Sequence, residues 1–360
     1  MKEYIMNVQT GGYYMKNNPF TLRYGTMSDS VVTRNDSLNR IISSFTEQTN
    51  MYAYLITGIR GSGKTVLLKT VEEEMIKRPN WVVININPQG DIISSIASKM
   101  FDLAVIKKIV GKITLTINLG VITLTRESGE KTTDPEIIIN HMLELYRSHN
   151  LNVLISIDEV NDTLEFKKFI NFYQILIAKK YGIYLLMTAL IENVNALIND
   201  KATTFLSRAP KIVLEPLPLS TIALNYSDTF NIDYSIAAKM AKLTNGYAFA
   251  YQVLGYLMFE SGKKDVDEEL IKQYDKYLWS NGYNKFWNDL TDVERKFLTV
   301  LANSDGKKES ILENGFSNVN YSQYRRRLIE KGLISMPKMG CLEFVLPRFK
   351  EFINFMKEFE

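Results

Sequence analysis

The sequence of 360 residues predicts an α/β fold: a parallel sheet flanked by helices, then a small helical unit, then a helix-and-hairpin unit. Three observations carry this expectation. Short apolar runs alternate with segments of helical spacing over residues 51–215. A glycine-rich turn, Gly58-Ile59-Arg60-Gly61-Ser62-Gly63-Lys64-Thr65, joins one such run to the helix after it. Pro216 and Pro218 then mark a change to helical patterning.

Composition sets outer bounds. The length suits two or three domains, and 46% hydrophobic with 23% charged residues is ordinary for a globular chain. A net charge of +3 gives no molecule-wide attraction for nucleic acid, so any basic surface must be local. The single cysteine, Cys341, excludes an internal disulfide framework and a cysteine-rich metal site, and suits a reducing compartment. His141 and His149 read as helix-surface residues rather than metal ligands. The opening residues Met1 to Met6 lack the apolar core of a signal peptide, and no stretch approaches the ~18 apolar residues of a membrane helix. A cytoplasmic location without a membrane partner is expected.

Residues 1–30, rich in Tyr, Asn and Gly, read as an irregular arm. Asn35 and Asp36 then start a helix carrying Leu38, Ile41, Ile42 and Phe45 on one stripe, and Arg34 alone reads as a surface residue. Met51 to Ile56 forms a buried strand, and Val66 to Glu72 has helical spacing. Strand, glycine loop and helix are the context in which G-x-x-x-x-G-K-[ST] binds phosphate. Gly58, Gly61 and Gly63 allow the backbone N–H groups, with those of Ile59, Arg60, Ser62 and Val66 around them, to turn inward on phosphate oxygens. The helix start adds its dipole, Lys64 reaches the β- and γ-phosphates, and the Thr65 hydroxyl ligates Mg²⁺. The expected ligand is a nucleoside triphosphate with Mg²⁺.

Trp81 to Ile86 is a second strand, and a helix is expected from about Asp91 to Lys108. Alternation over residues 112–126 predicts a β-hairpin that protrudes rather than extending the main sheet. Asp134-Pro135-Glu136 caps a helix through Tyr146. Leu151 to Glu159 is a strand ending in two carboxylates, where Asp158 would hold Mg²⁺ through water and Glu159 would polarise the attacking water. A helix over Glu165 to Lys180 precedes a buried strand ending at Thr188. That hydroxyl reads equally as a contact to the γ-phosphate or lytic water and as a strand-end cap. Arg208, just before the last strand at Lys211 to Leu214, is either an arginine finger towards a neighbouring subunit or an ordinary salt-bridge residue.

Beyond Pro218, helices are expected at Ser220 to Phe230, Tyr234 to Leu243 and Tyr247 to Glu260, with one more after a polar link at 261–265. From Asn281 the pattern changes again. Thr291 to Glu294 is a capping box, a short helical piece lies near Ser310, and Asn320 to Gly332 is a further helix. Two strands around Lys338-Met339-Gly340 complete the order of a winged helix. The expected division is 1–215 (with a box and helix at 31–50), a small helical unit at 216–279, and 280–360.

Taken together, these parts resemble the AAA+ and STAND branch of P-loop ATPases. The chain is most similar to the bacterial and archaeal "ATP-binding protein" group, related to the archaeal origin-recognition initiators. The resemblance implies a strand order of 5-1-4-3-2, with the phosphate-loop strand central. It places Val32-Thr33-Arg34 near the adenine, makes Thr188 the sensor of the γ-phosphate, and matches Arg208 to the arginine before the final strand. One segment departs. Asn245-Gly246-Tyr247-Ala248-Phe249-Ala250 has no arginine where many AAA+ proteins place a second sensor, and lacks the proline usual in STAND proteins. The implied activity is slow ATP hydrolysis that drives a switch.

Two partners follow from the winged helix. Double-stranded DNA would meet Tyr321, Gln323, Arg325, Arg326 and Arg327 on or near a recognition helix, and Lys338 on the wing. Consecutive arginines face different directions, so at most two of the three meet one groove. Alternatively the unit binds protein partners, as in STAND regulators, and Arg208 is the hint of self-association. A small-molecule kinase is the remote reading, disfavoured by the Asp-Glu strand and the winged-helix tail.

Overall fold

The computed structural model describes residues 17–23, 28–47, 51–102, 114–118, 121–125, 131–199 and 205–358. Five parallel strands make the central sheet: β1 (Ala53–Gly58), β2 (Trp81–Ile86), β6 (Asn152–Ile157), β7 (Ile183–Leu190) and β8 (Lys211–Val213). Their spatial order is β2-β6-β7-β1-β8. Counted within this sheet alone that is 2-3-4-1-5, the order the resemblance implies read from its other end.

Helices on both faces explain why the inner strands are mostly apolar on both sides. Alternate side chains along β1 separate onto two cores. Leu55 joins Val153, Ile155, Leu185 and Met187 in the core beneath α3 (Ile92–Asp102), α4 (Pro135–Ser148) and α5 (Leu164–Ala178). Tyr54 and Ile56 join Leu154 and Leu186 beneath α1 (Asn35–Thr46) and α2 (Lys64–Ile76), which contribute Ile41, Phe45, Leu67 and Val71. The helix expected to reach Lys108 is described to Asp102, and positions 103–110 lie outside the described residues.

The hairpin pairs β3 (Thr114–Asn118) with β4 (Val121–Thr125), and β4 also takes β5 (Lys131–Thr132). These strands form their own sheet, separate from the central one. Buried Leu124 ties it to the core beneath α3 and α4.

After β7, α6 (Ile191–Asn199) and the short α7 (Phe205–Arg208) lead to β8. The lid comprises α8 (Leu219–Phe230), α9 (Tyr234–Thr244), α10 (Ala248–Ser261) and α11 (Glu268–Leu278). Asn231, Asn245 and Gly262 end the first three of these in the left-handed conformation, which stops each helix. α11 does not stop where a domain boundary was expected at 279/280. It runs through a π-helical turn, Trp279–Tyr283, into Asn284–Asn288. Tyr283 explains the continuity: it is fully buried, packs on Phe349 and Phe352, and donates its hydroxyl to the Pro347 carbonyl at 2.6 Å. One core therefore extends from the lid into the C-terminal unit.

That unit contains α12 (Asp292–Ala302), α13 (Lys308–Glu313) and α14 (Asn318–Glu330), then the hairpin β9 (Ile334–Lys338) and β10 (Cys341–Phe344). The expected capping box opens α12, with Thr291 and Glu294 satisfying one another's backbone N–H groups. Three helices and a hairpin follow the winged-helix order. A last helix, α15 (Phe349–Lys357), was not anticipated and packs on α12 and the π-turn. Among the described residues no helix is long and apolar enough to cross a membrane.

Candidate nucleotide-binding site

β1 ends in the glycine turn, and α2 begins at Lys64. Gly61 and Gly63 have φ of +75° and +95°, a region costly for a side chain, so the turn needs glycine at both. Lys64 is nearly buried, and its Nζ donates to the carbonyls of Gly58 (3.0 Å) and Ile59 (2.9 Å). Burial pushes its ammonium group down to about 8, against the nearby carboxylates of Glu159 and Asp158. Ser62 Oγ is buried without a hydrogen-bond partner among the described residues. An orphaned hydroxyl in this turn is a group that a phosphate oxygen would satisfy.

The parallel register sets the acidic pair beside the loop. Ile157 pairs with Met187 across β6 and β7, and Ile56 pairs with Thr188 across β1 and β7. Asp158 therefore emerges between the loop and the end of β7. Its Oδ2 accepts from the Thr65 hydroxyl at 2.7 Å, and its Oδ1 accepts from the Thr188 hydroxyl. A carboxylate and a hydroxyl in contact form the hard-oxygen set that suits Mg²⁺ beside phosphate.

Thr188 stands behind this pair rather than on the ligand side. It is fully buried, and the same oxygen accepts the Glu159 N–H at 2.8 Å. Its hydroxyl is committed to both acidic residues, as a strand-end cap would be. Glu159 itself sits at φ +56°, uncommon for a residue with a side chain. The Thr188 bond to its N–H, and that from the Val160 N–H to the Thr188 carbonyl at 2.8 Å, hold this conformation.

A cavity of about 210 Å³ opens beside the loop. Residues 60–66 and Glu159 line it, with Val32, Thr33 and Arg34 from the arm and Ala248 and Phe249 from the lid. Arg34 Nη2 donates to the Ser62 carbonyl at 3.2 Å; burial lowers its pKa and Glu215 opposes the shift. A second cavity of about 320 Å³, lined by Asn87, Gln89, Asp158 and Asn161, meets the other side of Glu159. Glu159 thus borders both spaces.

The lid closes on the loop through two contacts that sequence patterning did not locate. Tyr247 Oη donates to the Arg60 carbonyl at 2.8 Å, and the Phe249 N–H donates to the Gly61 carbonyl at 3.1 Å. From the opposite side, Gly332 at the end of α14 lies against Ile59. A Cβ there would fall 1.9 Å from Ile59 Cγ2.

Solved structures share the overall fold over almost their whole length. The Aeropyrum pernix ORC2 protein, solved in ADPNP–ADP complexes, matches with a TM-score of 0.58 at 14% identity, covering 94% of this chain and 98% of that one. The ADP form of the same protein gives a TM-score of 0.50 at 14% identity, covering 93% and 96%. Cdc6p from Pyrobaculum aerophilum gives 0.48 at 16% identity, covering 95% and 98%. The chain has the AAA+ P-loop ATPase fold. Within it, residues 281–353 match a family model described as a domain of unknown function (DUF8462). No curated protein matches the chain by sequence.

Other residues singled out in the sequence fall outside the cavity beside the glycine turn. Arg208 is exposed at the end of α7 and does not line either cavity. On α14, Tyr321 corrects the expected DNA surface: it is buried and packs on Phe297 with ring centroids 5.9 Å apart. Its phenol fills the core because α14 must bury one stripe against α12. Arg325, half-buried, lies over the Tyr321 ring, and Arg327 lies over the Tyr324 ring. Arg326 and Arg327 are exposed, Gln323 is half-buried, and Lys338 is exposed on β9.

Proposed function

We propose that the chain binds ATP with Mg²⁺, hydrolyses it slowly, and uses the bound state to set the position of lid and winged helix. The single observation behind this reading is the convergence of Lys64, Thr65, Asp158 and Glu159 on one glycine turn that the lid covers. Loop N–H groups and Lys64 would hold the phosphates, with Gly58, Ile59, Arg60, Gly61, Ser62, Gly63 and Val66 as the remaining contacts. Thr65 and Asp158 would hold Mg²⁺, which supplies charge neutralisation at the β- and γ-phosphates. Glu159 would accept a proton from the attacking water while Thr188 fixes its backbone. Arg34 would close the adenine side.

Slow turnover is supported by what the lid presents. Tyr247 and Phe249 offer a neutral hydroxyl and a main-chain N–H to the loop, where a cation would stabilise the transferring phosphoryl group. Arg208 would act only on a neighbouring subunit's nucleotide. The proposed division is an ATPase unit to residue 215, a lid to 279 and a winged helix beyond, the last two sharing one core.

Double-stranded DNA is the proposed partner of the winged helix, through Arg326 and Arg327 on α14 and Lys338 on β9, with Gln323 beside them. Retention on duplex DNA should fall with salt and drop about tenfold when Arg326 and Arg327 become alanine. No retention at low salt would remove DNA. The competing protein-partner reading rests on exposed apolar side chains on the same faces, Val319 at 75% and Met339 at 100%.

A further inference from the structure

Every backbone carbonyl from Gly58 to Gly63 accepts a hydrogen bond. Lys64 Nζ serves Gly58 and Ile59, and the Ser62 N–H also turns back on Ile59 at 3.2 Å. The Leu67 N–H takes Gly63 at 3.0 Å, at the start of α2. The three carbonyls between these are met from outside the turn and its helix. Tyr247 Oη donates to Arg60 at 2.8 Å, the Phe249 N–H to Gly61 at 3.1 Å, and Arg34 Nη2 to Ser62 at 3.2 Å. Two of these donors sit at the start of α10, in the lid.

The third lies where the arm leaves the lid. Phe20 is buried among Tyr226, Phe230 and Tyr251, and Val32, just before Arg34, packs against the same lid core. Glycine at position 61 suits the lid as well as the turn. A Cβ there would fall 2.3 Å from Tyr247 Oη and 3.0 Å from Phe249 Cβ.

A trans peptide unit is planar, with the carbonyl of one residue opposed to the N–H of the next. A donor that fixes the Arg60 carbonyl therefore fixes the direction of the Gly61 N–H. In the same way the Gly61 carbonyl governs the Ser62 N–H, and the Ser62 carbonyl governs the Gly63 N–H. Successive N–H groups of such a turn form the concavity that holds an anion. A turn whose planes rotated freely would have to order them on binding, at a cost in affinity.

We propose that Tyr247 and Phe249 are positioning residues for the phosphate site: the docked lid holds the Arg60 and Gly61 peptide planes in the orientation that phosphate needs. The lid acts on the turn through these backbone bonds, not through contacts to the ligand. Undocking frees both planes and lowers affinity for the phosphate chain. Binding free energies couple reciprocally, so bound phosphate also holds the lid docked. This inference rests on the ATP reading above and adds what regulates that site.

Calorimetry on the full chain tests the turn, with ATP and inorganic tripolyphosphate as probes. Tyr247→Phe deletes the one oxygen that meets Arg60 and keeps the ring. Tyr226→Phe is the comparison, deleting a buried hydroxyl of the same lid that is bonded to the Tyr251 carbonyl at 2.7 Å. Thermal melts establish that each variant is folded. Tyr247→Phe should weaken both probes by the same factor, about tenfold, as for one lost hydrogen bond. Tyr226→Phe should leave both within about twofold of wild type. In the wild type, saturating tripolyphosphate should slow hydrogen exchange at the Phe249 N–H severalfold. That measurement needs no variant, and it decides the matter if Tyr247→Phe does not fold. Unchanged tripolyphosphate affinity in folded Tyr247→Phe, an equal loss in Tyr226→Phe, or unaltered exchange at Phe249 would each overturn the lid's role and leave the ATP reading standing. So would a wild type that binds ATP but not tripolyphosphate. No binding of ATP by the wild type would remove the underlying reading and this inference with it.

Discussion

Lys64 carries a charge that its surroundings disfavour. With the ammonium pushed down to about 8 by burial, bound phosphate must raise it, because an anion favours the charged form. The sign follows from linkage. Below pH 8 the lysine is already protonated and affinity for ATP is flat; above it, binding takes up a proton. The dissociation constant should then rise up to about tenfold per pH unit until the pKa of the complex is reached. Calorimetric titrations between pH 6.5 and 9.5 would check this, and a flat profile would contradict it.

Thr188 offers a second test at the same scale. Thr188→Val leaves an Asp158 oxygen and the Glu159 N–H without their partner. Each unmet group costs about 1–3 kcal/mol, so turnover should fall by about 10- to 100-fold with ATP affinity changed less than about threefold. An equal loss of affinity would instead place Thr188 on the ligand. The two carboxylates were legible because a strand ends in them behind a complete phosphate-binding pattern. The commitment of Thr188 was not, since it depends on the parallel register of β6 and β7, 30 residues apart.

At the scale of elements, the glycine turn, its strand and its helix follow directly from local pattern. So do the lid helices, whose stops at Asn245 and Gly262 are visible as residues that tolerate a left-handed backbone. The π-helical turn misled. The change of pattern expected from Asn281 falls inside that continuous turn, where Gly282 is buried and faces Phe249, 3.7 Å from where its Cβ would lie. Small size there serves packing, not flexibility. The lid latch escaped for a different reason: Tyr247 and Arg60 are 187 residues apart, and no local periodicity reports their contact.

α11 and α15 are joined by Arg348, whose Nε and Nη2 both donate to the Asp275 carboxylate, the latter at 2.7 Å. Arg348→Ala would leave Asp275, only 7% exposed, without its counter-charge. A loss of about 3 kcal/mol is expected, seen as a thermal midpoint several degrees lower. A midpoint within a degree of wild type would show that the pair carries no net stability.

Across the whole molecule, the loop is contacted on one side by the lid, through Tyr247 and Phe249, and on another by Gly332 of the C-terminal unit. The lid helices and the C-terminal unit share a core. Sheet order, lid and hairpin order were readable from pattern and resemblance. The position of the arm was not: nothing local distinguishes Phe20 as a lid residue, because its partners begin at Tyr226, some two hundred positions away. The exposed surface of α14 was also partly misread, since three adjacent arginines drew attention from Tyr321, which the core requires.

The most direct measurement is ATP binding and turnover by the purified chain, with and without duplex DNA, beside Lys64→Ala and Glu159→Gln. The account predicts slow turnover by the wild type, ATP binding without turnover in Glu159→Gln, and at least about a hundredfold weaker binding in Lys64→Ala. Wild-type affinity for ATP that Lys64→Ala leaves intact, or full turnover in Glu159→Gln, would contradict it.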